Sequence, residues 1–423
     1  MLLLSSSRSP WRRIDVQLGG GLLLAAIIPS ALRMLILEPD AHAVLYQTTL
    51  GVIAAIIAGF WLLRNITTYP GAQGGSYVIP VFTASYFIML MVFVLGRLDY
   101  NRSAVASGYL LIIIWSVFTS IMVQRNQHLR IGYLPFGDPA IRQSIDGVTW
   151  HLIDDTKTDV TGLDAVAADL RIDLPNEWDR RLADYALQRV PVFHVKTLVE
   201  SLTGRVELEH LSENSFGSLI PLSAYMWVKH ILDWITALLV GIVLLPLLLL
   251  IGLLVRLDTP GPALFQQTRI GFSGHPFTVF KFRTMFSERP PIDTADPLRA
   301  AMTQEGDVRI TRIGKILRRT RLDELPQILN ILRGEMSWIG PRPEAETLSR
   351  WYEVEIPFYR YRHIVRPGVA GWAQVCQGHV SEVDDVRSKL HYDFYYIKNF
   401  SPWIDLLIVA RTVRIVITGF GSK

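Results

Sequence analysis

Five stretches of this chain are long and apolar enough to cross a bilayer, and no other feature constrains its fold so strongly. They lie at 18–37, 43–63, 77–95, 104–123 and 234–255. A helix rises about 1.5 Å per residue, so about 20 apolar residues match a hydrocarbon core of about 30 Å. The first stretch carries one charge, Arg33, which can snorkel to the interface; the other four carry none. Hydrophobic residues make up 50% of the 423 and charged residues 19%. That balance excludes general disorder, which needs few apolar and many charged residues, and it argues against an ordinary soluble enzyme. At ~150 residues per domain the length allows about three domains.

Charge placement sets the expected topology. The inside flanks of the first four spans hold Arg8, Arg12, Arg13, Arg64, Arg125 and Arg130, against Arg97 and Arg102 outside. This bias places the N-terminus in the cytoplasm and returns the chain there near Gln124. No small-residue cleavage site follows Met1–Leu4, so no cleaved signal peptide is expected. The net charge of +4 gives no sign of a nucleic-acid partner. A single cysteine, Cys376, excludes an intrachain disulfide and a zinc site of several cysteines.

The fifth stretch contains Pro246, and basic residues stand at both ends: Lys229 and His230 before it, Arg256 after. Proline removes a backbone donor and clashes with the carbonyl four residues back, here Ile242. We read a helix–break–helix over about 231–255 that dips into one leaflet and returns. A single kinked crossing is the alternative, and it would put everything that follows outside.

Three regions result: four transmembrane helices over 1–126, a small α/β Rossmann-like cytoplasmic module over 127–222, and an α-rich α+β catalytic domain over 223–423. In the middle module, strands are expected at 130–136, 149–153 and 190–195, and helices at 139–145, 163–170 and 178–188. Gly132 and Gly137 do not form a phosphate-binding strand–turn–helix fingerprint, so the module reads as structural or regulatory. Basic amphipathic stretches at 309–317 and 402–420 suit a membrane surface or a half-buried helix. Residues 287–300 read as a loop.

The chemical signal lies between Gln266 and Trp372 and centres on Asp323-Glu324. Six Lys/Arg and no acid occupy 309–321 just before this pair. Pro326 is tolerated within a first helical turn, so we place Asp323 as N-cap, at a helix N-terminus that also favours phosphate. Lys281, Arg283, Gln266, Gln267 and Arg269 lie upstream; Gly340-Pro341-Arg342-Pro343 and Arg366-Pro367-Gly368 lie downstream. Separated cations around a carboxylate pair, beside a membrane dip, point to a polyanionic substrate at the bilayer surface. Arginine forks bind phosphate oxygens, and a divalent metal would neutralise the charge that repels a carboxylate. His275, His363, His379 and His391 lack metal-ligand spacing and read as structural. Asp384-Asp385 read as a solvated helix face. The aromatic run 392–396 reads as packing, with the lining of a lipid path as the alternative.

These residues resemble the bacterial sugar transferases, the monotopic phosphoglycosyl transferases. The resemblance runs from about Val228 to Val416. Its marks are Lys229–Asp233 leading into a proline-broken helix, Lys-Phe-Arg-Thr-Met at 281–285 and Asp307-x-Arg309-x-Thr311. Leu-Asp-Glu-Leu-Pro-Gln at 322–327, Gly-Glu-Met-Ser at 334–337, Gly-Pro-Arg-Pro at 340–343 and Arg-Pro-Gly-Val-Ala-Gly-Trp-Ala-Gln at 366–374 complete them. The four spans and α/β module resemble the long members that start exopolysaccharide, capsule or O-antigen repeat units.

The resemblance implies that Asp323 attacks the β-phosphate of a UDP-sugar, glucose or galactose being our guess, and releases UMP. Undecaprenyl phosphate then takes the phosphosugar from Asp323. Glu324 would hold Mg²⁺. Lys281, Arg283, Arg318, Arg342 and Pro343 would contact phosphate and nucleotide, while Lys229 and Pro246 would serve the headgroup and the dip. The expected place is the bacterial inner membrane, with catalysis on the cytoplasmic face and a homodimer compatible with the architecture. Departures from the family pattern are His230, Leu245 before the proline, and Cys376-Gln377-Gly378. A transporter or a non-catalytic scaffold is the competing class; apart from Arg33 near the end of the first, the first four spans lack the charged or broken helices a polar path requires.

Overall fold

The computed structural model describes residues 10–69, 75–124, 129–136, 145, 147–156, 158–160, 162–188, 190–206, 223–286, 309–377 and 383–418. The expected helix at 139–145, the 287–300 loop, Gly137, His379 and Asp307 fall largely or wholly outside these residues. The chain forms two compact units, Met1–Gly204 and Arg205–Lys423.

Four apolar helices begin the first unit: α1 (Ile14–Met34), α2 (His42–Ile66), α3 (Val78–Leu95) and α4 (Arg102–Gln124). Each is long and apolar enough to span a membrane. Val52, Ile56 and Phe60 of α2 pack against Val78, Phe82 and Met89 of α3 and Ile112 of α4. Small residues set the spacing, as is usual where helices meet in lipid. A Cβ on Gly59 would sit 2.5 Å from the Phe82 ring. Arg33 does not simply snorkel: it donates to Asn101 Oδ1 at 3.1 Å and to the Ser103 carbonyl at 2.7 Å, tying α1 to the start of α4.

The rest of this unit is a parallel sheet of order β2-β1-β3-β4, built from β1 (Leu129–Tyr133), β2 (Val148–Leu152), β3 (Ala165–Ala168) and β4 (Val192–His194). Helices α5 (Asn176–Leu187) and α6 (Val195–Thr203) cover it. The helix expected at 163–170 is instead the inner strand β3, whose four residues are all fully buried. A strand buried on both faces loses the alternation that marks a half-buried one. Gly132 serves packing: a Cβ there would meet the Ile153 side chain at 2.5 Å.

The second unit opens with α7 (Ser223–Asp258), and here the expected break is corrected. The helix runs without interruption through Pro246. At 36 residues it is roughly 54 Å long, so turns on both sides hold it together despite one missing bond. One face of α7 lies on the domain along much of this length. Ala237, Val240 and Leu244, before the proline, pack with Phe277, Val279, Ile328 and Met336. Leu248, Ile251 and Val255, after it, pack with Phe282 and Leu317. The outward face, with Ile242, Val243, Leu249 and Leu253, is apolar and exposed.

An antiparallel hairpin, β5 (Leu264–Ile270) and β6 (Pro276–Phe282), follows. After it come α8 (Arg312–Thr320), a 3-10 helix (Leu322–Gln327) and α9 (Ile328–Leu332). A second pair of strands, β7 (Ser337–Ile339) and β8 (Gly368–Ala370), is parallel and brackets α10 (Glu346–Glu355) and a 3-10 helix (Tyr359–Ile364). Helices α11 (Trp372–Gln377), α12 (Val383–Lys398) and α13 (Pro402–Thr418) close the unit. The aromatic run in α12 is core: Tyr396 is buried, and Tyr395 stacks on Trp372 at 5.8 Å. Both amphipathic stretches are half-buried helices. Leu317 of α8 is buried beneath exposed Arg312, Lys315 and Arg319. Ile404 and Leu407 of α13 are buried while Val409 and Val413 are exposed.

Candidate active site

The carboxylate pair is set by a local change of helix type. Thr311 caps α8 by accepting from the Gly314 N–H at 2.9 Å. At Arg321 the backbone turns left-handed, φ 58°, which ends α8 and starts the 3-10 helix. Asp323 and Glu324 stand in the first turn of that helix, so the cap position expected for Asp323 is taken by Arg321. Pro326 lies further inside than expected, and the tighter 3-10 turn accommodates it. Asn330, fully buried, then fixes this segment to β6. Its Oδ1 accepts from the Phe280 N–H at 3.1 Å, and its Nδ2 donates to the Thr278 carbonyl at 2.6 Å.

Lys281 arrives from the end of β6 and donates to Glu324 Oε1 at 3.0 Å. Arg342 arrives from the Gly-Pro-Arg-Pro turn and donates from Nη2 to the same oxygen at 2.6 Å, with Nη1 at 3.5 Å from Oε2. Arg321 stands 3.8 Å from Oε1. Burial opposes ionisation of Glu324, but Arg342 and Lys281 outweigh it and hold the carboxyl well below its ordinary range. Asp323 behaves oppositely. Burial and the neighbouring Glu324 raise its pKa, opposed by Lys281, Arg318 and Arg342. Its Oδ1 is buried without a hydrogen-bond partner among the described residues. Burial, reinforced by Arg342, lowers Lys281 to about 8.

The other expected site residues divide. Arg318 donates to Thr284 Oγ1 at 2.9 Å, a contact made close by Gly314, where a Cβ would sit 2.2 Å from the Thr284 carbonyl. The Pro343 carbonyl accepts from Arg269 at 2.5 Å. Arg283 is not brought to the carboxylate pair. It is buried and donates to the carbonyls of Pro260 and Thr259, both at 2.6 Å, closing the end of α7. Lys229 is likewise buried, 2.7 Å from Asp405 and 3.9 Å from Asp233, and lines a small cavity with His230 and Arg366 away from the carboxylate pair. Pro246 stands in α7 as described. Arg362 and Asn330 escaped the sequence reading. A lone asparagine inside the apolar run 328–332 was the visible signal for the second; nothing marked the first.

Among the described residues no group of three or more His, Cys, Asp and Glu side chains is placed to hold a metal. Mg²⁺ is often held by only one or two carboxylates together with substrate phosphates. The hard oxygens of Glu324 and the unpartnered Asp323 Oδ1 fit that mode. His363 is buried, lowered to about 3 by burial and Arg362, and so held neutral.

A desolvated carboxylate beside a clamped one, ringed by lysine and arginine in a domain that carries a long apolar helix, is an arrangement suited to group transfer between phosphorylated substrates. The family model described as bacterial sugar transferase matches residues 224–419. An Aeromonas hydrophila UDP-N-acetylgalactosamine-undecaprenyl-phosphate N-acetylgalactosaminephosphotransferase is 41% identical over 382 residues, 90% of this chain and 89% of the relative. UDP-glucose:undecaprenyl-phosphate glucose-1-phosphate transferases from Caulobacter vibrioides and Escherichia coli are 44% and 40% identical. They cover 48% and 46% of this chain, and 74% and 41% of their own lengths. The chain belongs to the bacterial sugar transferase family.

Proposed function

We propose that the protein transfers a sugar-1-phosphate from a UDP-sugar to undecaprenyl phosphate through a covalent intermediate on Asp323. The observation that carries this reading is the contrast within the pair: Asp323 has a buried oxygen without a partner, while Glu324 is held by Lys281 and Arg342. An Asp323 oxygen attacks the β-phosphorus, the bond to the bridging oxygen breaks, and UMP leaves with that oxygen. An oxygen of undecaprenyl phosphate then attacks the phosphorus on Asp323. The acyl-phosphate bond breaks, and the carboxylate is restored.

Lys281 and Arg342 orient the diphosphate, and Arg318 extends the cationic rim. Mg²⁺ would be held by Glu324 and the diphosphate oxygens, and when bound it neutralises phosphate charge. Packing of both halves of α7 on one domain supports a helix that stays with the catalytic face rather than crossing away from it. With the arginine bias of the first four spans, it supports our reading of a site on the cytoplasmic side of the inner membrane, where a surface-polysaccharide repeat unit would begin.

The relative matching nearly the whole chain is named for N-acetylgalactosamine, and the two described above that match about half of it are named for glucose. UDP-N-acetylgalactosamine is therefore the first donor to test, ahead of UDP-glucose and UDP-galactose. Full-length protein in nanodiscs with undecaprenyl phosphate and Mg²⁺ is expected to release UMP with one of these donors, and Asp323→Asn to release none. UDP as the product, or undiminished UMP from the variant, defeats the proposal.

A further inference from the structure

We infer that Arg362 and Arg269 are positioning residues that hold Arg342 over the carboxylate pair by gripping the backbone of its turn; this rests on the function proposed above. Pro341 and Pro343 carry no N–H, so the turn has few donors with which to fix itself. Two successive carbonyls are instead held by guanidinium groups from other elements. Arg362 Nη2 donates to the Arg342 carbonyl at 2.8 Å, and Arg269 Nη1 to the Pro343 carbonyl at 2.5 Å.

Each arginine is itself fixed from behind. Arg362 pairs with Asp393 of α12 at 2.9 Å, donates to the Tyr359 hydroxyl at 2.7 Å and lies over the Tyr359 ring at 5.1 Å. Arg269 donates twice to Gln267 Oε1, at 3.2 and 2.9 Å. One residue beyond, Glu344 pairs with Lys389 of α12, and its carbonyl accepts from the Ile270 N–H at 3.3 Å. Thus β5 and the 359–364 helix hold the backbone of residues 342–344, and α12 backs them through the side chains of Asp393 and Lys389.

Stability alone does not explain this arrangement. Arg362 and Asp393 are 3% and 1% exposed, and the desolvation of such a pair offsets its attraction; apolar side chains would pack as well. A rigid fork, by contrast, fixes the position of a carbonyl oxygen, and the Arg342 guanidinium is built on that peptide. Lysine at 362 keeps the charge, but a single ammonium cannot span the Arg342 carbonyl, Tyr359 and Asp393 together.

The test uses full-length Arg362→Lys and Arg269→Lys in nanodiscs, each alone and combined with Arg342→Lys. UMP release, thermal midpoint and hydrogen exchange of the 337–345 peptide are measured. We expect each single variant to lower kcat by about 10- to 100-fold, with a smaller change in KM for the UDP-sugar, because small misplacements of a reacting geometry cost this much. Exchange in 337–345 should quicken in both variants; the thermal midpoint should fall for Arg362→Lys, which leaves a buried partner unsatisfied, and stay near wild type for Arg269→Lys. In the Arg342→Lys background the second substitution should cost little more, since both act through one group.

Unchanged exchange, or losses that multiply in full, overturns the inference. If Arg362→Lys fails to fold, Arg269→Lys decides, since its carbonyl contact is separate. If the wild type releases no UMP, the proposed function fails, and the exchange measurement alone settles the positioning role.

Discussion

Asp323 and Glu324 are neighbours in sequence, yet their surroundings drive their titration in opposite directions. Asp323 must react as a carboxylate, and its pKa is raised. Activity should therefore be complete above that raised value and be lost as pH falls through it, at a pH above the ordinary carboxylate range. Lys281 must act as an ammonium and is lowered to about 8, so activity should fall again as pH rises past about 8. A kcat/KM profile with two such limbs is expected, and Lys281→Arg should carry the alkaline limb upward, because a guanidinium does not deprotonate there. An alkaline limb that stays in place in the variant would remove Lys281 from that role. The pair itself was legible in sequence as an acid dipeptide after a cationic run. Its division of labour was not, because the division depends on Lys281 and Arg342, which lie 43 and 18 positions from Glu324.

At the scale of elements, the contact between α8 and the end of β6 is the point where a small change does most damage. A Cβ at Gly314 would approach the Thr284 carbonyl to 2.2 Å, and that atom is backbone. Gly314→Ala should therefore move α8 away and cost about 1–3 kcal/mol, the usual range for overpacking. It should also reduce UMP release, because Arg318 is held by the Thr284 hydroxyl. Thermal unfolding and activity measured together check this; a variant with wild-type values in both would show that the contact relaxes freely. The same scale explains two misreadings. Ala165–Ala168 carries a compact apolar run that fits a buried strand as well as a helix, and only its place between β1 and β4 decides. Pro246 predicts a broken helix from local chemistry alone, but one lost hydrogen bond does not interrupt a long apolar helix packed on both sides of it.

For the whole molecule, the proposed topology has a direct consequence. Glu355 is exposed in the catalytic unit. In a Cys376→Ser background, Glu355→Cys should resist a membrane-impermeant maleimide in right-side-out vesicles and react in inside-out ones. Labelling in right-side-out vesicles would mean that α7 crosses and places the catalytic unit outside.

The sequence by itself determined that this is a membrane protein, because uncharged windows of bilayer length need no partner to be recognised. It also carried the family, through ordered local motifs, and the acid pair, through adjacency. Tertiary structure alone decided which cations serve that pair. Arg283 and Lys229 looked equivalent to Lys281 and Arg342 by charge, yet folding directs the first to the Thr259 and Pro260 carbonyls just past α7 and the second to Asp405. It also recruited Arg362, which no motif marked, to the Arg342 carbonyl. The physical reason is that a guanidinium or ammonium declares its charge in the sequence, whereas the oxygen it meets is chosen by packing between distant elements.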